Sequence, residues 1–185
     1  RQMCIRARIH PHPLAHAGYY PGAKAMSLKL VVDADTDEII GAQGVGEAGV
    51  DKRIDVIATA MRGGLRASQL ADLELSYAPQ FGAAKDPVNM LGFIAENLST
   101  GMADTIQWHE LEAELARGVR WVDGRTPREF DLGAIPGAIN IPLDELRERL
   151  DEVEDEVIIN CQVGLRGYLA ERILKQHGRR VRNLD

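Results

Sequence analysis

Val157-Ile158-Ile159-Asn160-Cys161-Gln162-Val163-Gly164-Leu165-Arg166-Gly167 is the stretch on which the reading of this chain turns. Its opening run is short, β-branched and bounded by charge, which predicts a buried strand. Over residues 168–176, Leu169, Ala170, Ile173 and Leu174 recur at helical spacing. Cys161 therefore ends a strand and opens a tight, glycine-containing loop into a helix N-terminus. Unpaired backbone N–H groups converge there and the helix dipole favours negative charge.

That setting suits a thiolate. A free thiol titrates near ~8.5, but beside arginine or at a helix N-terminus the value falls to roughly 3.5–7.5, and the thiolate is the nucleophile. Arg166, five residues after Cys161, lets the loop curl and bring a guanidinium to an anion at its centre. Cys161 and Arg166 are the candidate catalytic residues, and Gln162, Val163, Gly164, Leu165 and Gly167 supply the anion-binding loop. The spacing serves both phosphate ester hydrolysis and sulfane-sulfur transfer. An isolated cysteine is more often a small buried hydrophobe; the strand, glycine and arginine around this one favour the nucleophile.

Working outward, residues 108–115 read as an amphipathic helix, 120–123 as a strand, 126–130 as a short capped helix and 138–141 as a strand. Residues 142–150 read as a charged helix. Strands alternating with helices at this pitch predict a parallel α/β sheet with right-handed crossovers, whose ligands bind beyond the carboxyl ends of the strands, where Cys161 lies. Residues 181–185 read as a last strand that begins as the chain stops, so this half is expected to be cut short and that strand weakly held.

Small polar residues 99–104 mark a linker, and the pattern before them differs. Residues 27–33 and 38–46 predict an antiparallel hairpin across an acidic turn. The glycines of Gly41-Ala42-Gln43-Gly44-Val45-Gly46 lack the spacing of a dinucleotide fingerprint and read as close-packing positions. Residues 50–61 predict a helix with Ile54, Ile57, Ala58 and Met61 on its apolar face, and Asp51, Lys52, Arg53 and Asp55 in solvated first turns. Asp86-Pro87-Val88-Asn89 predicts an N-cap with proline in the first turn of a helix that is apolar on more than one side and packs against a partner. The expected class is thus α+β, an antiparallel sheet with helices, followed by α/β.

Composition narrows the function. The chain has 185 residues, 45% hydrophobic and 27% charged, with a net charge of −6. The acidic balance argues against a nucleic-acid partner, which requires a basic face. The longest apolar stretches fall well short of the ~20 residues that span a bilayer, so no membrane association and a cytoplasmic location are expected. His10, His12 and His16 lie among prolines with no fourth ligand nearby, and no metal site is assigned. Residues 1–8 carry no motif. Cys4 and Cys161 are separated by almost the whole chain, and a reducing compartment fits.

Residues 104–185 resemble a rhodanese-like domain. The likeness runs through Val122-Asp123-Gly124-Arg125-Thr126-Pro127-Arg128-Glu129-Phe130, Ile135-Pro136-Gly137-Ala138-Ile139-Asn140-Ile141-Pro142, and Cys161 to Arg166 with the helix after it. The resemblance implies that Cys161 accepts sulfane sulfur as a persulfide stabilised by loop amides and Arg166. A loop of six residues is the sulfurtransferase length; the related phosphatases carry one more. Gly124, where the family often has valine, and Ala134, where it often has histidine, are departures that bear on packing.

Residues 9–99 resemble the C-terminal dimerisation domain of the coenzyme A disulfide reductase and NADH oxidase branch of the flavin disulfide reductases. The likeness is carried by His16-Ala17-Gly18-Tyr19-Tyr20-Pro21-Gly22-Ala23, Val50-Asp51-Lys52-Arg53-Ile54-Asp55-Val56, Tyr77-Ala78-Pro79 and Ala84-Lys85-Asp86-Pro87-Val88-Asn89. It implies a homodimer, and that Tyr19 and Tyr77, rather than Tyr20, reach the other subunit's active-site cysteine. Each tyrosine read alone could equally be interface packing. Together the resemblances imply part of a CoA-disulfide or CoA-persulfide (polysulfide) reductase, with FAD and NAD(P)H serving the full-length protein and neither bound by this stretch. A sulfane-sulfur donor and a CoA thiol or persulfide are the implied small-molecule partners. The competing expectation is a non-catalytic dimerisation and docking module with an idle cysteine.

Overall fold

A computed structural model describes residues 5–185, with side chains from residue 8 onward; Cys4 lies outside the described residues. The chain divides into two compact units, one up to Thr100 and one from Gly101 to Asp185.

In the first unit, β1 (Ile5–Ile9), β2 (Met26–Asp33) and β3 (Ile39–Gly46) form an antiparallel sheet in that order. The acidic turn between β2 and β3 is built by Asp33, whose Oδ1 accepts the N–H groups of Asp35 and Thr36 at 3.0 Å each. These bonds favour the charged form and hold the Asp33 carboxyl below its ordinary range. Alternate residues of β2, Leu28, Leu30 and Val32, are buried, as a strand with one covered face requires. The cover is α1 (Val50–Arg62) and α2 (Pro87–Ser99), which bring Ile57, Ala60, Val88 and Leu91 into the same core.

Helix α2 starts as local chemistry dictates, while α1 brings a correction. Asp86 caps α2, its side chain accepting the Val88 N–H at 3.0 Å while Asn89 Oδ1 accepts the Asp86 N–H at 3.1 Å. The buried stripe of α1, however, is Arg53, Ile57 and Ala60, while Ala58 and Met61 face outward. Arg53 is not solvated: it is 1% exposed and donates to Asp86 from Nε at 3.3 Å and Nη2 at 2.8 Å. A carboxylate distant in sequence turns the helix toward it, which local periodicity cannot reveal. Gly92 lets α2 lie on the short 3-10 turn Ser68–Asp72, since a Cβ there would stand 2.1 Å from the Ala71 nitrogen. Gly44 and Gly46 are close-packing positions as expected, with a Cβ meeting Val50 at 2.6 Å and Met26 at 2.9 Å respectively.

The second unit is a parallel sheet of β4 (Thr105–Ile106), β5 (Arg120–Asp123), β6 (Ile139–Asn140), β7 (Glu156–Asn160) and β8 (Arg180–Leu184), in the order β4-β8-β7-β5-β6. Helices α3 (Leu111–Ala116), α4 (Pro127–Asp131) and α5 (Leu165–Gln176) complete the crossovers. Residues Val157 and Ile159 pack with Ala170, Leu174 and Val181 on one face, while Ile158 meets Trp121 and Ile106 on the other. This is the double burial of a parallel sheet.

Two expectations fail here. Residues 142–150 do not form a helix; they are successive i to i+3 turns, such as Glu145 N to Pro142 O at 2.9 Å and Leu146 N to Leu143 O at 3.3 Å, that drop Leu146 fully into the core. The last strand is also not weakly held: β8 lies between β4 and β7, with Val181 and Asn183 buried. Among the described residues no helix is long and apolar enough to cross a membrane.

Candidate active site

Strand β7 carries the chain to the carboxyl edge of the sheet and ends at Asn160, whose Oδ1 accepts the Trp121 indole N–H at 2.5 Å. Cys161 follows as a half-buried free thiol. Helix α5 begins at Leu165, one turn earlier than the apolar periodicity alone suggests. Its N-cap is Gly164 at φ +87°, a conformation that β-carbon-bearing residues adopt with strain. No side chain caps this end, so the first-turn amides, including those of Leu165, Arg166 and Gly167, have no carbonyl ahead of them in the helix. Gln162, Val163 and Leu165 are exposed around the sulfur, whereas Gly167 is buried.

Arg166 takes up a geometry that its spacing from Cys161 does not foretell. Its Nη1 and Nη2 donate to the two Glu129 oxygens at 2.7 Å each, a fork-to-fork pair. Glu129 stands in the first turn of α4, where its Oε2 also accepts the Thr126 hydroxyl at 2.7 Å and the Thr126 N–H at 3.0 Å. Foremost the Arg166 guanidinium, then the Thr126 donors, hold the Glu129 carboxyl far below the usual carboxylate range. In return Glu129, and more weakly the charge of the Cys161 sulfur, keep Arg166 charged beyond its ordinary range. Beside this pair, Arg125 grips Asp123 at the end of β5, with Nη2 to Oδ2 at 2.7 Å, and reaches the Gly133 carbonyl at 2.8 Å. The edge of the sheet thus gathers a thiol, a guanidinium and helix-end amides.

The sequence reading missed Glu129 as an Arg166 partner. Its Thr-x-x-Glu signature announces only a helix cap. A cleft of about 620 Å³ opens at the opposite, amino-terminal edge of the sheet, lined by side chains such as Arg117, Glu154, Arg179 and Arg180. Some of its charges pair across it, as in Arg180 to Glu156 at 3.0 Å, and it does not include Cys161.

The first unit brings Tyr19 and Tyr77 together across 58 positions, hydroxyl to hydroxyl at 2.8 Å, with the rings 77% and 47% exposed. The Tyr19 hydrogen bond raises the Tyr77 phenol above its ordinary range. Tyr20 instead packs edge-on to His16 at 5.8 Å. Of the neighbouring histidines, His12 Nδ1 meets the Ser27 hydroxyl at 2.9 Å and His16 Nδ1 the Ala17 carbonyl at 3.1 Å. Among the described residues no group of three or more His, Cys, Asp or Glu side chains is placed to hold a metal ion. Of the β3 glycines that echo a dinucleotide fingerprint, Gly44 and Gly46 are closed by Val50 and Met26, whereas a Cβ at Gly41 would meet nothing within 4 Å.

With this geometry in hand, the likenesses to other proteins are specific. Residues 107–185 match the rhodanese-like domain, and residues 4–87 match the pyridine nucleotide-disulphide oxidoreductase dimerisation domain. The crystal structure of reduced Bacillus anthracis CoADR-RHD superposes with a TM-score of 0.93 at 49% identity, covering 97% of this chain and 32% of that one. An NAD-dependent persulfide reductase from A. fulgidus gives a TM-score of 0.84 at 38% identity, with coverage of 97% and 32%. Coenzyme A disulfide reductase of Staphylococcus haemolyticus is 43% identical over 83 residues, 45% of this chain and 19% of that protein's length. The chain therefore spans about a fifth of that curated relative and about a third of each of the two structures.

Proposed function

Because the chain joins a pyridine nucleotide-disulphide oxidoreductase dimerisation domain to a rhodanese-like domain, we propose that it is the C-terminal part of an FAD- and NAD(P)H-dependent CoA-disulfide or CoA-persulfide (polysulfide) reductase. In this proposal residues 9–99 pair two subunits, and residues 104–185 move sulfane sulfur through Cys161. The reading rests on one observation above all, the half-buried Cys161 at the mouth of an uncapped helix with Arg166 beside it.

The Cys161 thiolate attacks the outer sulfur of a sulfane donor. A new S–S bond forms to Cys161, the donor's S–S bond breaks, and its electron pair leaves on sulfite or a thiolate. The resulting Cys161 persulfide is an anion one atom longer than the thiolate. Loop amides from Gln162 to Gly167 and the Arg166 guanidinium stabilise it, as preorganised donors stabilise charge in other acyl- and group-transfer sites. A CoA thiolate then attacks the outer sulfur, leaving as the CoA persulfide and restoring Cys161.

FAD and NAD(P)H supply the electrons that reduce that product in the whole enzyme. No step here passes through them. The hydroxyl pair of Tyr19 and Tyr77 is the part of this chain that would face the partner subunit's redox cysteine. A reducing, cytoplasmic setting belongs to the same proposal, because the nucleophile acts as a free thiolate.

The test is thiosulfate-to-cyanide sulfur transfer with the unaltered chain and Cys161→Ser. Loss of transfer in the variant is the expected result. Unchanged turnover would defeat the assignment and leave a pairing and docking module.

A further inference from the structure

One buried polar side chain at the carboxyl edge of the sheet has no part in the chemistry above. Asn183, on β8, is 6% exposed, and only Val181 of its strand is buried beside it. Its Nδ2 donates to the Gly164 carbonyl at 3.1 Å. That carbonyl also accepts the Tyr168 N–H at 2.8 Å, the bond that starts α5. The Oδ1 of Asn183 is buried with no hydrogen-bond partner and lies against Gly167, where a Cβ would stand only 2.0 Å from it. Turning the amide over would set oxygen against the Gly164 oxygen, so the donor must face the loop. The backbone N–H of Asn183 is in turn fixed to the Asp104 carbonyl at 2.8 Å.

An unsatisfied buried acceptor is destabilising, and an apolar residue of the same size would avoid that cost. The side chain instead spends its donor on the one carbonyl whose orientation sets the N-cap glycine and, through it, the direction of the amides around the sulfur. We propose that Asn183 is the positioning residue of the Cys161 loop, clamping the Gly164 carbonyl so that the amides of Gln162 to Gly167 converge on the sulfur. This rests on the reading of Cys161 as the nucleophile. Asn183 touches neither donor nor acceptor; it acts through Gly164.

The experiment compares the full chain with Asn183→Leu, Asn183→Ser and Gly167→Ala, the last of which pushes the amide away from the opposite side. The readouts are the thermal transition, the rate of Cys161 alkylation by iodoacetamide at about pH 7 and about pH 10, and the split of kcat and KM in sulfur transfer. With the amides misdirected, the alkylation rate near pH 7 falls roughly tenfold relative to the rate near pH 10, and kcat falls while KM stays nearly constant.

A residue that serves only the fold would lower the transition temperature and leave the alkylation ratio alone. An unchanged ratio in the variants that fold overturns the proposal, as does loss of folding in all three, since the contact would then serve the sheet and not the loop. If Cys161→Ser is as active as the unaltered chain, the parent reading fails. If Cys161 is needed but the ratio does not move, only the role of Asn183 falls.

Discussion

The two units each contain an arginine locked to a carboxylate at the start of a helix, and the pairs differ in what surrounds them. Arg53 and Asp86 are 1% and 4% exposed at the side chain, whereas Arg166 and Glu129 are 31% and 33% exposed. In both, the acid belongs to a capping box, Asp86 at the N-cap of α2 and Glu129 in the first turn of α4. The first pair is enclosed: Arg53 spends its remaining reach on the Gly49 carbonyl at 3.1 Å, and its donors are turned inward. The second is held at the rim, where its cation is braced by Glu129 and lies close enough to the Cys161 sulfur to feel its charge. The same chemical pair thus serves the fold when sealed and suits the proposed site when left at an edge, because burial decides whether its charge is available to a third party.

That contrast can be broken most forcefully at Arg53. Arg53→Ala strands the Asp86 carboxylate in a dry interior, and about 3–5 kcal/mol of stability should be lost, read as an earlier denaturant midpoint for the first unit. A loss under about 1 kcal/mol would put the sealed pair in the class of exposed ones. Arg166→Ala should do the reverse. Sulfur transfer should fall about a hundredfold, as when one donor to a developing anion is removed, while the thermal transition stays within about 4 °C. A stability loss as large as that of Arg53→Ala with little change in rate would erase the distinction.

The smallest effect is expected at the third polar pair, the tyrosine hydroxyls. Tyr19→Phe removes the 2.8 Å bond that raises Tyr77. The Tyr77 phenol should then ionise at lower pH, closer to the ordinary ~10, as followed by phenolate absorbance. No movement would mean that the two hydroxyls do not meet in solution.

Much of this was legible from local rules. The strand Arg120–Asp123, the caps at Asp86 and Thr126, and the strand-loop-helix around Cys161 follow from patterns that residues a few positions apart impose on one another. What escaped depends on partners far along the chain. Arg53 reads as a solvated helix charge until Asp86, 33 positions on, is brought to it; Glu129 reads as a cap until Arg166 arrives from 37 positions away. Residues 142–150 carry enough charge at helical intervals to read as a helix, but burying Leu146 is achieved by tighter turns. Asn183 did leave a trace: a polar residue two positions from Val181 in an alternating strand occupies an inward place, the signature of a buried amide with work to do. The tyrosine pair was reached through family resemblance alone.

The placement of β8 bears on how the second unit is made. Strand β4 pairs with β8, Thr105 beside Asn183 and Ile106 beside Leu184, so nearly the whole unit must leave the ribosome before β4 finds a neighbour. Until then the exit tunnel delivers strands to an unfinished sheet with a bare edge, the condition in which nascent chains recruit chaperones. The first unit, whose strands pair between near neighbours in sequence, can fold ahead of it during translation.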